Sequence, residues 1–207
     1  MRKRNSKHRY LLLLAVGWFV LVSVQAGSLE PPAGPVSPTH PPDRCYDDTG
    51  NRFVDCGDGT IKDTVTGLFW LKDASCLATM TWAAANIAAA ELGHGQCGLT
   101  DGSTPGDWRL PTLGCPTSSS CPLIDATGEF ASIFATVCPA PFIPNTQGAG
   151  CWSEGDPFSG VQSEGYWSSS ITPTAPGGAR LAFLGTGFVF NFIKTGSNWV
   201  WPVRGGQ

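Results

Sequence analysis

Hydrophobic and polar residues follow two different periods along this 207-residue chain, and each period predicts a different element. Residues 52–63 predict two short strands around Gly57-Asp58-Gly59-Thr60, because glycine tolerates the positive φ that tight turns need. Residues 68–72 predict a third strand. We therefore expect a small antiparallel sheet in this part of the chain.

A helix is predicted over residues 82–92, where an alanine-rich run places apolar side chains three or four positions apart. Thr81 is expected to cap its start and Gly93 its end. The same spacing predicts a second, shorter helix at Phe130, Ile133, Phe134 and Val137.

Strict alternation of side chains begins late in the chain, at Phe188–Ile193, and predicts a β-strand. Apolar runs at residues 179–184 and 199–203 flank it, separated from it by turns rich in Gly and Ser. These three segments predict an antiparallel meander. Two helices followed by strands is the order of an α+β fold.

The N-terminal residues predict export. Five Lys and Arg lie in the first nine residues, an uncharged stretch covers residues 10–24, and small residues follow it. This pattern is typical of a signal peptide over residues 1–26, too short for the roughly 20 residues of a membrane span, although a retained anchor is the alternative. Six of residues 27–43 are proline, which predicts an extended tether before a domain at 44–207. We expect the domain in the periplasm, at the cell surface or in the medium, with no membrane insertion.

Removal of the signal peptide changes the charge of the chain. Five of the thirteen Lys and Arg would leave with it, while all sixteen Asp and Glu stay, so the mature chain would carry a net charge of −8. Such a chain gains no counterion release from nucleic acid and is repelled by anionic membranes. Neither nucleic acid nor lipid headgroups are expected partners.

Eight cysteines lie in the expected mature chain, and an even number in an exported protein predicts disulfides. Because they fall into neighbouring couples separated by turn-rich segments, we expect four local bridges. A zinc site lacks ligands, since His94 is the one histidine in the domain and no Cys-x-x-Cys spacing occurs. The expected bridges are Cys45–Cys56, Cys76–Cys97, Cys115–Cys121 and Cys138–Cys151.

Two aromatic motifs have the character of scaffold. Asp107-Trp108-Arg109-Leu110-Pro111 offers an indole to bury, a guanidinium that can bind Asp107 or backbone carbonyls, and a proline that stops the next element. Tyr166-Trp167-Ser168-Ser169-Ser170 places serines after a tryptophan that we expect to be buried, where their hydroxyls would bond to the backbone.

These motifs also carry a family resemblance. In order, residues 52–60, residues 63–70, the two aromatic motifs and the final Trp201-Pro202-Val203-Arg204-Gly205-Gly206 resemble the Lcl C-terminal domain family, a bacterial group of C-type-lectin-like modules named after a collagen-like adhesin. The resemblance covers residues 45–206 and implies a C-type-lectin-like fold with a general binding role. It assigns scaffold roles to Asp107, Trp108, Arg109, Pro111, Tyr166, Trp167 and Arg204.

Calcium is the cofactor that such a fold suggests, but the sugar-binding triplets of calcium-dependent lectins are absent. Ile143-Pro144-Asn145 is only a partial match, because it lacks the first carboxylate or amide. Oxygen ligands could also come from an acidic hairpin, which is otherwise a solvated turn. No cofactor is therefore expected, with calcium as the alternative; the acidic residues are Asp47, Asp48, Asp55 and Asp58.

Signals of catalysis are weak. No Gly-x-Ser-x-Gly elbow occurs, and His94 lies in a Gly-His-Gly turn. Glu154 with Asp156 or Glu164 could form a glycosidase pair, although spacing alone does not bring two carboxylates together. No catalytic residue is assigned.

We therefore expect an exported, non-enzymatic binding module that presents its loops at residues 115–165 to a glycan or a protein, in adhesion or recognition. Trp152 beside Glu154 and Asp156 is the candidate contact, together with Asn145, because an aromatic face near carboxylates suits a sugar ring or a basic peptide. Alternatively, Trp152 fills the loop at Cys151. A carbohydrate-active hydrolase and a purely structural envelope protein are the other functions considered, and a homo-oligomer is left open.

Overall fold

The computed structural model describes residue 45 and residues 50–116, 120–135, 137–172 and 175–205. The expected signal peptide and the proline-rich tether lie outside this part of the chain. Within the described residues, no helix is long and apolar enough to cross a membrane. The elements, in chain order, are β1 (Phe53–Asp55), β2 (Thr60–Asp63), β3 (Leu68–Leu71), β4 (Thr79–Met80), α1 (Trp82–Glu91), β5 (Cys121–Pro122), a 3-10 turn (Leu123–Asp125), α2 (Glu129–Ser132), β6 (Gly165–Thr172), β7 (Ala175–Phe183), β8 (Phe188–Ile193), β9 (Asn198–Trp199) and β10 (Val203–Gly205).

These elements form an α+β fold with two sheets. The smaller sheet has the order β1-β2-β3-β10 and is antiparallel throughout. Its first hairpin pairs Phe53 with Asp63 and Asp55 with Ile61, which confirms the prediction for residues 52–63. The third predicted strand, β3, is also confirmed.

The larger sheet has the order β4-β9-β6-β7-β8-β5. Its centre is the β6-β7-β8 antiparallel ribbon, while β6 and β9 pair in parallel. Strand β6 was not among the predicted strands. This strand contains the second aromatic motif, Tyr166-Trp167-Ser168-Ser169-Ser170, so the motif is a central strand of the sheet.

The prediction of a three-stranded meander is wrong in its last strand. Phe188–Ile193 does pair with β7. The segment that follows does not return to β8, because β9 pairs with β4 and β6, and β10 crosses to the smaller sheet. Trp201 explains why the chain crosses to the smaller sheet. Its ring is fully buried, and its Nε1 donates to Leu71 O at 2.8 Å. This partner is within reach only where the chain passes beside β3.

Helix α1 confirms the predicted alanine-rich helix. The hydroxyl of Thr81 accepts a hydrogen bond from Ala84 N at 3.5 Å, and Ala85 and Ala89 are buried. Gly93 does not cap the end as expected. Leu92 takes extended backbone there, and Gly93 N donates to Gln96 Oε1 at 3.2 Å.

The second predicted helix is shorter than its spacing suggested. Helix α2 ends at Ser132, and Val137 is 86% exposed rather than part of an apolar face. The backbone leaves the helix because Ala135 N donates to Phe142 O at 2.6 Å, a partner across a loop. Phe130 and Ile133 are buried as expected.

Two apolar clusters hold the fold together. The larger joins both sheets around fully buried aromatic rings, with Trp201 within 4.9 Å of Phe158 and 5.3 Å of Trp70, measured between ring centroids. The smaller lies between α1 and one face of the larger sheet. Alanine at the helix surface permits this close approach. Members of the smaller cluster are Ala85, Ala89, Leu110, Trp167, Ala179, Leu181 and Val200.

The four predicted disulfides are all present, and no cysteine is free. Each joins neighbours in the sequence, with separations from 6 to 21 residues. Two of them, Cys115–Cys121 and Cys138–Cys151, fix the irregular segment between α1 and β6. Stable disulfides agree with an oxidising, exported environment.

Candidate functional site

The loop that carries Trp152 was the predicted binding site, and its polar groups bond to the loop itself. Trp152 is half-buried against the larger cluster, and its Nε1 donates to Phe158 O at 2.9 Å. Glu154, although exposed, accepts from Gly160 N at 2.8 Å through Oε1. Both contacts hold the turn that follows the Cys138–Cys151 bridge.

Asp156 and Asn145 also accept hydrogen bonds from residues of the same loop. Asp156 Oδ1 accepts from Thr146 N at 2.9 Å and from the Thr146 hydroxyl. Asn145 Oδ1 accepts from Gly150 N at 3.0 Å. The four predicted contact residues are thus brought into one loop, where each has an internal partner. Their role toward a ligand stays a prediction.

The first aromatic motif joins the two sheets. The backbones of Arg109 and Val203 exchange hydrogen bonds of 3.0 and 2.9 Å in the smaller sheet, and Pro111 O accepts from Ser169 N in the larger one. Trp108 is buried, while Asp107 accepts from the backbone N of Thr104 at 2.7 Å. These contacts agree with a scaffold role.

Arg109 binds a carboxylate that the sequence analysis did not anticipate. Its guanidinium donates to both oxygens of Glu129, at 2.5 and 2.6 Å, rather than to Asp107. Burial opposes the ionisation of Glu129, but hydrogen bonds from Arg109 and Thr112 outweigh it, so the pKa of Glu129 lies below its ordinary value. The bond to Glu129 likewise raises the pKa of Arg109 despite partial burial. The pair anchors the start of α2.

Among the described residues, two buried aspartates pair with arginines. Arg204 lies 3.2 Å from Asp101, and its guanidinium lies 4.4 Å from the Phe69 ring and 5.4 Å from the Trp108 ring. Arg52 pairs with Asp63 at 3.0 Å. Each pair joins two separate segments of the chain.

The second aromatic motif is also buried and bonded within the fold. Tyr166 and Trp167 are fully buried on opposite faces of β6, and the Trp167 Nε1 donates to Met80 O at 2.8 Å. Burial raises the pKa of the Tyr166 hydroxyl, which accepts from Gln162 N. As expected, the serines bond to the backbone: the Ser168 hydroxyl donates to Arg180 O at 2.9 Å.

The predicted acidic hairpin has internal partners too. Asp55 pairs with Lys72 at 2.5 Å, and Asp58 accepts from the backbone N and hydroxyl of Thr60. Asp47 and Asp48 lie outside the described residues. Across the part of the chain that the structure describes, no three His, Cys, Asp or Glu residues are grouped so as to hold a metal ion. His94 Nδ1 accepts from Gly102 N at 3.1 Å.

A pocket of about 150 Å³ opens where the segment just after Cys121 meets the Cys138–Cys151 loop and the turn between β7 and β8. One wall follows the Cys115–Cys121 bridge, a second is Phe142 inside the Cys138–Cys151 loop, and the third is the turn. Ile124 is 64% exposed at its edge. The pocket, hereafter the loop pocket, is lined by Pro122, Leu123, Ile124, Phe142, Thr186 and Gly187.

Backbone contacts fix the shape of the loop pocket. Leu123 N donates to Gly187 O at 2.8 Å, which ties the 3-10 turn to the β7–β8 turn. Phe142 has a φ of 59°, a left-handed conformation that costs a non-glycine residue of order 1–3 kcal/mol. Its ring lies so close to Gly187 that a Cβ there would come within 3.1 Å. Because Gly187 also has a φ of 71°, a side chain at this position would be both crowded and strained.

Most of the lining of the loop pocket lies in the loops predicted for recognition, but its residues were not among the predicted contacts. Phe142 and Ile124 lie within the predicted loops at 115–165, whereas Thr186 and Gly187 come from a turn that was predicted only as a turn. Ile124 and Phe142 lie close to Cys121 and Cys138 in the sequence, which was the available indication of a structured loop. Their contact with Thr186 and Gly187 joins distant parts of the chain.

No protein-family model, curated protein or solved structure matches the chain. The resemblance to the Lcl C-terminal domain family therefore rests on the sequence motifs alone and stays a prediction.

Proposed function

We propose that the chain is an exported, non-enzymatic binding module of C-type-lectin-like type, which recognises a protein ligand through the loop pocket. The observation that carries this proposal is the position of the pocket, where the Cys138–Cys151 loop meets a hairpin turn and the segment anchored by the Cys115–Cys121 bridge. Loops fixed by cross-links lose little entropy on binding, so a preformed pocket between them is suited to recognition.

The chemistry of the lining favours a protein over a glycan. Of the six lining residues, only Thr186 carries a polar side-chain group. A sugar ring needs several hydrogen-bond partners for its hydroxyls, whereas an apolar side chain needs none. The proposed ligand therefore inserts an apolar group.

The size of the loop pocket leads to the same conclusion. Its volume of about 150 Å³ is below the roughly 300–1,000 Å³ of pockets that enclose a whole small molecule. It fits one protruding side chain of a larger ligand. Most of the binding surface must then lie around the pocket.

The test is a protein and glycan array probed with the secreted, oxidised chain. Ile124→Asp places a charge at the rim of the pocket, and Val65→Asp, on the β2–β3 turn, is the matched control, because both side chains are largely exposed, at 64% and 73%. We expect a protein ligand whose affinity falls at least tenfold with Ile124→Asp and is unchanged with Val65→Asp. Both variants should keep the parent thermal stability.

Glu154→Ala separates the loop pocket from the Trp152 loop, which was the candidate predicted from the sequence. If Glu154→Ala weakens binding and Ile124→Asp does not, the contact surface is the Trp152 loop and the pocket proposal is wrong. A ligand that is a glycan would also contradict the proposal.

A further inference from the structure

Strand β8 exposes a row of aromatic rings. Phe188, Phe190 and Phe192 are 38–40% exposed, while the alternate residue Val189 is fully buried in the larger cluster. Asn191, on the same face as Val189, accepts from the Thr172 hydroxyl at 3.3 Å. We call the three exposed rings the Phe strip.

The Phe strip lies on the face of the sheet that α1 covers only in part. Trp167 and Leu181 pack in the cluster with α1, and the strip lies beyond them. Phe192 contacts Trp167 with ring centroids 6.1 Å apart, and Phe188 stacks on Phe190 at 6.0 Å. The rings are thus held by neighbours and stand in a fixed row.

This row is continuous with the loop pocket. Pro122, which lines the pocket, is the strand partner of Phe188 in the β5–β8 pair. Partner residues on adjacent strands place their side chains on the same face. The apolar surface therefore runs from the pocket along β8 for the four residues to Phe192, roughly 13 Å at 3.3 Å per residue.

Charge is distributed unevenly along the chain. All sixteen acidic residues lie at or before Glu164, and residues 165–207 carry three basic residues and no acidic one. Of the three, Arg180 and Arg204 are buried.

Lys194, directly after β8, is partly exposed. Its Nζ lies 4.4 Å from the centroid of the Trp82 ring and 2.9 Å from Pro176 O. A cation therefore borders the far end of the Phe strip, while exposed Asp125 follows the pocket end.

The exposed area decides between a second copy of the chain and a smaller occupant. A whole phenylalanine side chain has a surface of about 200 Å². Three such side chains, each about two-fifths exposed, therefore offer roughly 240 Å² of accessible apolar surface. A stable dimer buries about 800 Å² on each partner. The strip is too small for that, but it matches two or three apolar side chains of an extended peptide.

We propose that the Phe strip binds an extended peptide segment of the protein ligand, with apolar side chains at alternate positions on the rings and a carboxylate beside Lys194. Alternation suits a strand-like segment, since every second side chain then points to the same face. The proposal rests on the proposed function and names the chemistry of its ligand. It also assigns the two ends: the carboxylate lies at the Lys194 end and the inserted apolar group lies in the loop pocket.

The experiment uses three labelled heptapeptides and the secreted, oxidised chain, with fluorescence anisotropy as the readout. The first peptide has leucine at its second, fourth and sixth positions, serine between them and glutamate at one end; the second has lysine in place of glutamate; the third has serine in place of every leucine. We expect the first to bind at least tenfold more tightly than the other two.

Two variants test the strip directly. Phe190→Ser should weaken binding of the glutamate peptide at least tenfold, and Val65→Ser, with the same type of change at an exposed position, should not. Lys194→Glu removes no buried group and should reverse the preference between the glutamate and lysine peptides. This second variant keeps the proposal testable if Phe190→Ser does not fold.

The strip proposal is overturned if the serine peptide binds as well as the leucine peptides, or if Lys194→Glu leaves the preference unchanged. Self-association that Phe190→Ser abolishes, measured by sedimentation, would instead make a second copy the occupant. Ile124→Asp distinguishes the two proposals: if it weakens the array ligand while Phe190→Ser does not, the loop pocket stands and the strip fails. If neither variant weakens that ligand, both proposals fail.

Discussion

Truncation of Trp108 tests whether the first aromatic motif is scaffold. The indole is 1% exposed, and its Nε1 donates to the Ser103 hydroxyl at 3.0 Å. One face lies 5.4 Å from the Arg204 guanidinium, which in turn pairs with Asp101. Trp108→Ala therefore removes packing, a hydrogen bond and a ring that faces a buried cation.

The size of the effect follows from these contacts. Truncating a buried tryptophan to alanine costs about 3–5 kcal/mol of unfolding free energy, mostly through lost packing. Trp108→Phe keeps most of the ring and loses chiefly the hydrogen bond, so about 1–2 kcal/mol is expected. The Ser103 hydroxyl still donates to Asp101 Oδ1 at 2.7 Å in either variant, which limits the cost of its lost partner.

Unfolding of the oxidised chain in urea and on heating, both followed by circular dichroism, measures the free energy and the Tm of each variant. In a chain of this length 1 kcal/mol shifts Tm by about 2–4 °C, so Trp108→Ala should lower Tm by roughly 6–20 °C. A loss below about 1 kcal/mol would refute the reasoning. So would equal losses for Ala and Phe, because the ring volume would then contribute nothing. Lost ligand binding with unchanged stability would make Trp108 a contact residue.

Two further predictions concern the scaffold. Gly59→Ala should destabilise the fold by about 1–3 kcal/mol more than Gly57→Ala. Both glycines have a positive φ, but only at Gly59 would an added Cβ lie 2.6 Å from Gly98 O. Equal losses of unfolding free energy in urea would contradict this prediction. The pair between Glu129 and Arg109 should contribute stability above the ordinary Glu pKa of 4.5 and lose it as pH falls through the lowered pKa in the folded state, since the unfolded chain takes up the proton first. Glu129→Gln should flatten this acid limb of the stability curve, and an unchanged slope would show that the pair does not act there.

The features predicted correctly from the sequence are those set by local interactions. Helix α1 follows from its alanine spacing and from Thr81, and the first hairpin follows from its glycine turn. The disulfides also join sequence neighbours. In each case the residues that decide the structure lie within about twenty positions of one another.

Strand partners depended on distant residues, which explains the errors in the larger sheet. The run after Ser197 has the composition of a strand, but its own residues do not determine which strands it pairs with. Trp199 pairs with Thr79 and Tyr166, and Val203 pairs with Trp70. Strand β6 was missed because its serines resemble a loop. They are tolerated in a central strand because their hydroxyls bond to the backbone, as the Ser168 hydroxyl does with Arg180 O.

The polar residues predicted to bind a ligand have partners inside the loop for a physical reason. A long irregular segment has many backbone groups without strand or helix partners, and the polar side chains in it supply them. Glu154, Asp156 and Asn145 each accept a bond from such a backbone N–H. An exposed apolar side chain, such as Ile124 on the 3-10 turn, supplies no hydrogen bond to the backbone and is costly to leave in water, and for this reason we propose it as part of the contact surface.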